Sequence, residues 1–308
     1  MKMMSNTLAP VILFVYDRPD HAKQTLDALA ANELAEQSEL FVFCDGPKKE
    51  SVIERNQQVI ELISAEKERG RFASVTFTVS PVNKGLAASI IGGVTDIIHR
   101  YGKCIVVEDD LITSPKFLSY MNDALDFYKE KKSIFSISGF TYPLKALQKY
   151  PYDVYLSYRA CSHGWATWSD RWDSVDWEVK DFNELSRSLV KRYRFNRGGN
   201  DLYRMLRHQM RGERNSWAIR FCYSQSKQER YTIYPSKTLV KNIGFDGSGT
   251  HCQDLGRENN VGTVLALNKP VLVDPQPDKK VLRDFKNQYR ITFSEAIEWL
   301  WKKVFKSS

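Results

Sequence analysis

The sequence predicts an α/β fold, a mainly parallel sheet with helices on both faces, on the strength of three observations. Apolar runs of strand length alternate with segments of helical periodicity over the first 140 residues. The runs at residues 11–16, 40–44 and 104–107 are continuous, as strands buried on both faces require. Polar residues directly follow most of the runs. With 308 residues, 42% hydrophobic and 27% charged, the chain can form one large core or two small ones.

Four strands and three helices are predicted in this first part. The strands are residues 11–16, 40–44, 74–79 and 104–107. Pro19 suits the first turn of the first helix, which has apolar residues at helical spacing. A charged helix follows Asp45-Gly46-Pro47, which is a turn signal, and a third begins after Asn83-Lys84-Gly85.

Polar side chains follow each predicted strand. They are Asp17-Arg18, Asp45-Gly46, Asn83-Lys84 and Glu108-Asp109-Asp110. Ligands of parallel α/β sheets bind beyond the carboxyl ends of the strands. We therefore expect these four segments to converge on one ligand site.

The second half differs in composition. Residues 152–177 hold four of the seven tryptophans, residues 187–214 hold nine Lys or Arg against two acids, and residues 231–252 are strand-like and then glycine-rich. Because there is no repeat and no low-complexity linker, we expect the second half to complete the same domain. The predicted division is a domain over residues 1–270, with halves at 1–140 and 141–270, and a basic tail over 271–308.

The net charge of +8 indicates an anionic partner, which could be a nucleic acid, a phosphorylated small molecule or an acidic membrane face. The five cysteines are scattered without a C-x-x-C pair, which favours reduced thiols in the cytosol. We find no secretory signal and no membrane-spanning apolar run. The predicted location is cytoplasmic, with peripheral attachment to the inner face of the cytoplasmic membrane left open.

The acidic triplet Glu108-Asp109-Asp110 is the sharpest chemical feature. Three consecutive acids at the end of a buried strand repel one another unless a cation is present. Mg²⁺ and Mn²⁺ prefer oxygen ligands and commonly bind one or two carboxylates together with substrate phosphates. The alternative is a solvated helix start, where acids are also favourable.

Arg18 and Asp45 each follow a strand at the same predicted sheet edge. An aspartate there can accept a hydrogen bond from a base, and an arginine can bind a phosphate or a carbonyl. The alternatives are an aspartate that caps the turn at Gly46 and a surface arginine.

In these motifs the chain resembles the glycosyltransferase-A (GT-A) group, specifically the bacterial relatives of the N-acetylglucosaminyltransferase I family and family 2-like glycosyltransferases. The resemblance extends to about residue 252. The matching motifs are Tyr16-Asp17-Arg18-Pro19, Cys44-Asp45-Gly46, Asn83-Lys84-Gly85-Leu86, the acidic triplet with its continuation to Phe117, Gly164-Trp165, Asn215-Ser216-Trp217 and Gly249-Thr250-His251.

The resemblance implies a nucleotide-sugar donor and a Mn²⁺ ion, with Mg²⁺ as the alternative metal. Asp110 would ligate the metal that bridges the donor diphosphate, and His251 would be a second metal or phosphate contact. Glu108 and Asp109 would contact the ribose or the donor sugar.

Arg18 and Asp45 match the positions that hold the nucleotide base, most often uracil in this family. Lys84 belongs to the same donor-binding set. A lone histidine is more often structural, so a purely structural role is the alternative for His251.

The family inverts configuration by direct displacement, which needs a general base to remove the acceptor hydroxyl proton. The family base is an aspartate just before a helix tryptophan. Here Asn215 and Ser216 precede Trp217, and asparagine cannot act as a base. Glu213 or Asp246 could replace it, or the motifs could be out of register.

The acceptor is expected at His163, Gly164, Trp165 and Trp217, because indole faces pack against sugar rings. The alternative is a core position, since tryptophan is mostly buried on average. Trp168 and Trp172 are expected in the core.

Residues 293–306 predict an amphipathic helix with lysines and two tryptophans. It suits an anionic bilayer surface, and docking on this domain or on a partner fits the pattern equally. A lipid-linked glycan acceptor would agree with the membrane alternative. The sequence does not indicate an oligomeric state.

The predicted function is therefore transfer of a hexose from a nucleotide-sugar, most often UDP-linked in the family, to a glycan in bacterial lipopolysaccharide or capsule synthesis. A catalytically degenerate carbohydrate-binding or assembly subunit is the main alternative, because of Asn215. A nucleotidyltransferase would carry a glycine-rich loop after the first strand, which is missing. We predict no nucleic-acid partner, since no nucleic-acid-binding motif is present.

Overall fold

The computed structural model describes residues 7–245 and 264–289. The strands are β1 Val11–Val15, β2 Glu39–Cys44, β3 Ser74–Val79, β4 Lys103–Glu108, β5 Leu111–Thr113, β6 Ile134–Ser138, β7 Val154–Ser157, β8 Trp165–Trp168, β9 Tyr231–Pro235 and β10 Val240–Asn242. The helices are α1 Pro19–Ala30, α2 Ile53–Arg69, α3 Leu86–Tyr101, α4 Phe117–Phe127, α5 Ser169–Trp172, α6 Phe182–Arg187, α7 Leu189–Phe195, α8 Leu202–Met210, α9 Trp217–Lys227 and α10 Lys279–Asn287.

Eight strands form one sheet in the order β3-β2-β1-β4-β8-β6-β9-β7. The first four are parallel, and β6 is parallel to β9. β8 runs antiparallel to both of its neighbours, and β7 is an antiparallel edge strand. The predicted α/β class is confirmed, and the order β3-β2-β1-β4 is that of a Rossmann-like half.

Both faces of the central strands are buried. In β1 every residue is buried, with Leu13 in the core layer that contains α1 and Phe14 in the layer that contains α3. Gly93 in α3 permits this close packing, because a Cβ atom there would lie 3.0 Å from the Phe14 ring. The continuous apolar runs of the sequence therefore correspond to strands covered by helices on both sides.

The second half of the chain extends the same sheet. β8 lies between β4 and β6, so strands from before and after residue 140 form one hydrogen-bonded ladder. β5 and β10 form a separate antiparallel pair directly after the acidic triplet. The predicted divisions at residues 140 and 270 remain predictions.

The helix α10 packs through Val281 and Phe285 against a small cluster that includes Tyr155 and Tyr234. The amphipathic helix predicted over residues 293–306 lies outside the described residues. Among the helices of residues 7–245 and 264–289, none combines the length and the apolar character needed to cross a bilayer.

Candidate active site

The carboxyl ends of β1 and β4 lie side by side, with Phe14 paired with Glu108. The strand order reverses here, because β2 and β3 extend to one side of β1 and β4 lies on the other. Such a switch point opens a crevice in doubly wound sheets. Arg18 follows β1 and the acidic triplet includes the end of β4, so both stand at this crevice.

Arg18 binds two of the three acids. Its Nη2 atom donates to Asp109 and to the Oδ2 atom of Asp110, the latter at 3.0 Å. Its Nη1 atom is buried and has no hydrogen-bond partner among the described residues. One side of the guanidinium is thus neutralised, while the other retains a donor that suits an oxygen-rich ligand.

Two neighbours hold this arrangement in place, and the sequence analysis identified neither. The Thr25 hydroxyl donates to the backbone carbonyl of Asp109 at 2.8 Å and accepts from the amide of Leu111 at 3.2 Å. Gly244 lies against the ion pair, and a Cβ atom there would be 2.9 Å from Nη1 of Arg18. A glycine far along the chain gives no local sequence signal for such a contact.

The acidic triplet carries more negative charge than Arg18 balances. Burial raises the pKa of Glu108 to about 8, and the negative charges of Asp110 and Asp109 add to the rise. Burial also raises the pKa of Asp109 to about 6, although Arg18 opposes it. Burial alone would lower the pKa of Arg18, yet the charges of Asp109 and Asp110 raise it.

The same residues suit a divalent cation. Within the described parts of the chain, no group of three or more acidic, histidine or cysteine side chains forms a ready-made metal cage. A magnesium-type site does not require one, because one or two carboxylates complete it together with substrate phosphates. Asp110 is half-buried and offers carboxylate oxygens at the crevice. His251 lies outside the described residues.

Asp45 is buried and caps the loop before α3. Its carboxylate accepts hydrogen bonds from the amides of Lys84 at 2.8 and 3.0 Å, Gly85 at 2.8 Å and Gly46 at 3.2 Å. Asp45 therefore caps the turn, which is the alternative role that the sequence predicted for it. These hydrogen bonds occupy lone pairs of both carboxylate oxygens. A contact of Asp45 with a nucleotide base remains a prediction. Lys84 is exposed beside it.

His163 approaches the triplet from β8. The pairing of Val106 with Trp165 brings the residues before β8 to the acidic end of β4. Burial lowers the pKa of His163, and the charge of Asp110 opposes that change. Its Nδ1 atom is buried without a hydrogen-bond partner in the described residues, and its ring lies 6.4 Å from that of Phe245.

Trp165 and Trp217 belong to the core. They are 1% and 3% exposed, and their rings stack with centroids 4.9 Å apart. The sequence analysis expected both at the acceptor, but neither indole presents a face to solvent. Gly164, with φ of 64°, packs against Phe117 and Val240. Trp168 and Trp172 are buried, as expected.

Glu213, a candidate for the general base, and Asn215, at the position of the family base, lie between α8 and α9. Glu213 is exposed and binds Nδ1 of His208, which lowers the pKa of its carboxyl and makes it a weak proton acceptor. The Oδ1 atom of Asn215 accepts from Arg220 at 3.1 Å. Within the described residues, no recorded contact joins either side chain to the acidic triplet. Asp246 lies outside those residues.

No family model matches the sequence, and no curated protein matches it. Among solved structures, S. aureus TarS 1–349 is similar over 75% of this chain and 59% of its own, with 11% identity and a TM-score of 0.42. The chain thus spans less than two thirds of that protein. A UDP-glucose pyrophosphorylase complexed with UDP-glucose is similar over 74% of this chain and 90% of its own, with 10% identity and a TM-score of 0.37. Such distant likenesses carry no argument about function.

Replacing Glu108 with glutamine should stabilise the metal-free protein. Because the pKa of Glu108 is raised to about 8 in the folded protein, this carboxyl must take up a proton on folding at neutral pH. Glutamine avoids that cost, so the free energy of unfolding should rise by about 1–3 kcal/mol near neutral pH. Urea denaturation in the presence of a chelator measures it. Glu130→Gln, on an exposed residue, is the control and should change little. A loss of stability in Glu108→Gln would contradict the charge imbalance.

Replacing Asp45 with alanine should destabilise the fold. The variant leaves the amides of Gly46, Lys84 and Gly85 without their acceptor, at a cost of about 1–3 kcal/mol. Denaturation curves can be compared with those of Asp173→Ala, whose partner is the exposed His99. Equal, small effects of the two variants would show that the capping bonds contribute little.

Proposed function

We propose that this chain is a glycosyltransferase that transfers a sugar from a nucleotide-sugar, with a UDP-sugar as the first candidate, to a carbohydrate acceptor. The observation that carries the proposal is the cluster of Arg18 with Asp109 and Asp110 at the switch point of the sheet. The crevice lies where doubly wound sheets bind their ligands, and its charged side chains suit the diphosphate of a nucleotide.

The cluster suits a diphosphate in two respects. The unpartnered Nη1 atom of Arg18 is a donor for a phosphate oxygen. The excess negative charge of the triplet calls for a divalent cation, which Asp110 would hold. Bound Mn²⁺ or Mg²⁺ would supply positive charge that stabilises the departing diphosphate. Glu108 and Asp109 would then face the ribose or the donor sugar, as the family resemblance implies.

The transfer would be an inverting displacement. The acceptor hydroxyl oxygen forms a bond to the anomeric carbon as the bond from that carbon to the diphosphate oxygen breaks. The hydroxyl proton passes to a general base, and the nucleoside diphosphate leaves with the electron pair. His163 lies near Asp110 and is a candidate for orienting the sugar, since its Nδ1 atom is unpartnered within the described chain.

Asp246 is our choice for the general base. It follows Phe245, whose ring neighbours His163, whereas Glu213 is held by His208. A glycan or lipid-linked glycan of a bacterial surface polysaccharide is the proposed acceptor. A catalytically degenerate binding or assembly subunit is the second candidate, because Asn215 stands at the position of the family base.

Calorimetric titration with UDP, GDP and CDP, each with and without Mn²⁺, tests the donor site. One nucleotide should bind in a metal-dependent manner, and Asp110→Ala should abolish that dependence because the metal loses its ligand. Glu130→Gln serves as the matched control that retains binding. Unchanged affinity in Asp110→Ala would reject the metal assignment, and failure of all three nucleotides would favour the degenerate subunit.

Transfer assays with substitutions of the candidate bases test the mechanism. Asp246→Asn should reduce turnover by about 10²–10⁴-fold while nucleotide affinity is retained, because a general base acts on the acceptor. Glu213→Gln should change turnover by less than about threefold, since the carboxyl is a weak proton acceptor. The reverse ranking would assign the base to Glu213.

A further inference from the structure

Three large apolar side chains stand exposed together on α7. Leu189 is 74% exposed, Val190 61% and Tyr193 69%. Tyr193 is four residues after Leu189 and three after Val190, so its side chain neighbours both on the helix surface. The opposite side of α7 is anchored by Phe195, which is buried in the core. We call Leu189, Val190 and Tyr193 the α7 patch. Its side chains point outward although the helix itself is fixed.

Basic side chains surround the α7 patch. Residues 187–197 hold five Lys or Arg and no acid. From α10, the Nζ atom of Lys286 lies 5.8 Å from the centre of the Tyr193 ring. The acids at the rim are Glu184, which pairs with Lys191, and Glu229, which pairs with Arg194 at 3.3 Å. The remaining basic residues leave the surface strongly positive.

The helix α10 extends this positive surface. Lys279, Arg283 and Lys286 are four and three residues apart, so they share one helix face. The other face of α10 is buried through Val281 and Phe285. The basic face therefore points away from the core, next to the α7 patch.

We infer that the α7 patch and its surrounding basic residues bind an anionic membrane surface. Leucine, valine and tyrosine can enter the boundary of headgroups and acyl chains, while lysine and arginine remain at the anionic headgroups. A second copy of this chain would present the same positive charge and be repelled. A nucleic acid would gain little from Leu189 and Val190, which offer no stacking surface.

The α7 patch and the basic face of α10 belong to the folded domain, so attachment through them requires neither the proposed sugar transfer nor the residues beyond 289. The apolar side chains supply insertion and the basic ones supply attraction. Both contributions should be separable by substitution.

Vesicle sedimentation of the full chain tests the inference, with phosphatidylcholine vesicles that contain or lack phosphatidylglycerol. Leu189→Ser/Tyr193→Ser should lower partitioning onto the anionic vesicles about tenfold. Ile53→Ser/Tyr152→Ser is the matched control, because it removes the same kinds of exposed side chain elsewhere and should bind like the parent chain.

A second pair of variants tests the contribution of the basic side chains. The variant Arg187→Glu/Lys286→Glu should bind anionic vesicles more weakly than the parent chain. The control Lys67→Glu/Lys129→Glu has the same net charge as that variant but changes lysines elsewhere, so it should bind much more strongly than Arg187→Glu/Lys286→Glu. Binding of the parent should also fall with added salt.

Equal losses in the patch and control variants would overturn the inference, as would equal binding to vesicles with and without phosphatidylglycerol. Concentration-dependent self-association that disappears in Leu189→Ser/Tyr193→Ser, without vesicle binding, would assign the surface to a second copy. If the parent chain bound RNA but did not bind vesicles, the inference of membrane binding would also be rejected.

Discussion

Three carboxylates at the end of one buried strand, with Arg18 as their ion-pair partner, impose the main constraint on this protein. Burial and mutual repulsion raise the pKa values of Glu108 and Asp109, and Arg18 offsets only part of that repulsion. The surrounding structure is arranged for this cluster: Thr25 fixes the backbone of the turn, and Gly244 leaves room beside the ion pair. This excess of negative over positive charge is the basis for the proposal that a cation binds there together with an anionic ligand.

The parallel sheet and the polar segments at the ends of its strands could be predicted from sequence because they depend on local patterns. Continuous apolar runs such as residues 11–15 identify buried strands, and acids at the end of such a run are unusual enough to indicate a site. The position of β8 between β4 and β6 could not be predicted, because it depends on pairing between distant segments. Without that pairing, nothing indicated that His163 would lie near Asp110.

Single residue types were harder to interpret than strand patterns. A tryptophan suits a sugar-binding wall and a core equally, and only packing decides: Trp165 and Trp217 stack on each other inside the protein. Asp45 likewise suits a base contact and a capped turn, and the structure shows the capping bonds. The α7 patch could not be predicted from the sequence, because Leu189 and Val190 are of residue types that are usually buried and only the structure shows that they are exposed.

The antiparallel strand β8 also bears on how the chain folds. β4 pairs with β1 on one side, and its other edge is covered by residues synthesised about 60 positions later. Until β8 arrives, Cys104, Ile105 and Val106 form an apolar strand edge open to other chains. The stretch that carries His163 to the acids is thus also the one that closes this edge. Because this stretch is synthesised late, the nascent chain is most prone to aggregation while only its first half has been made.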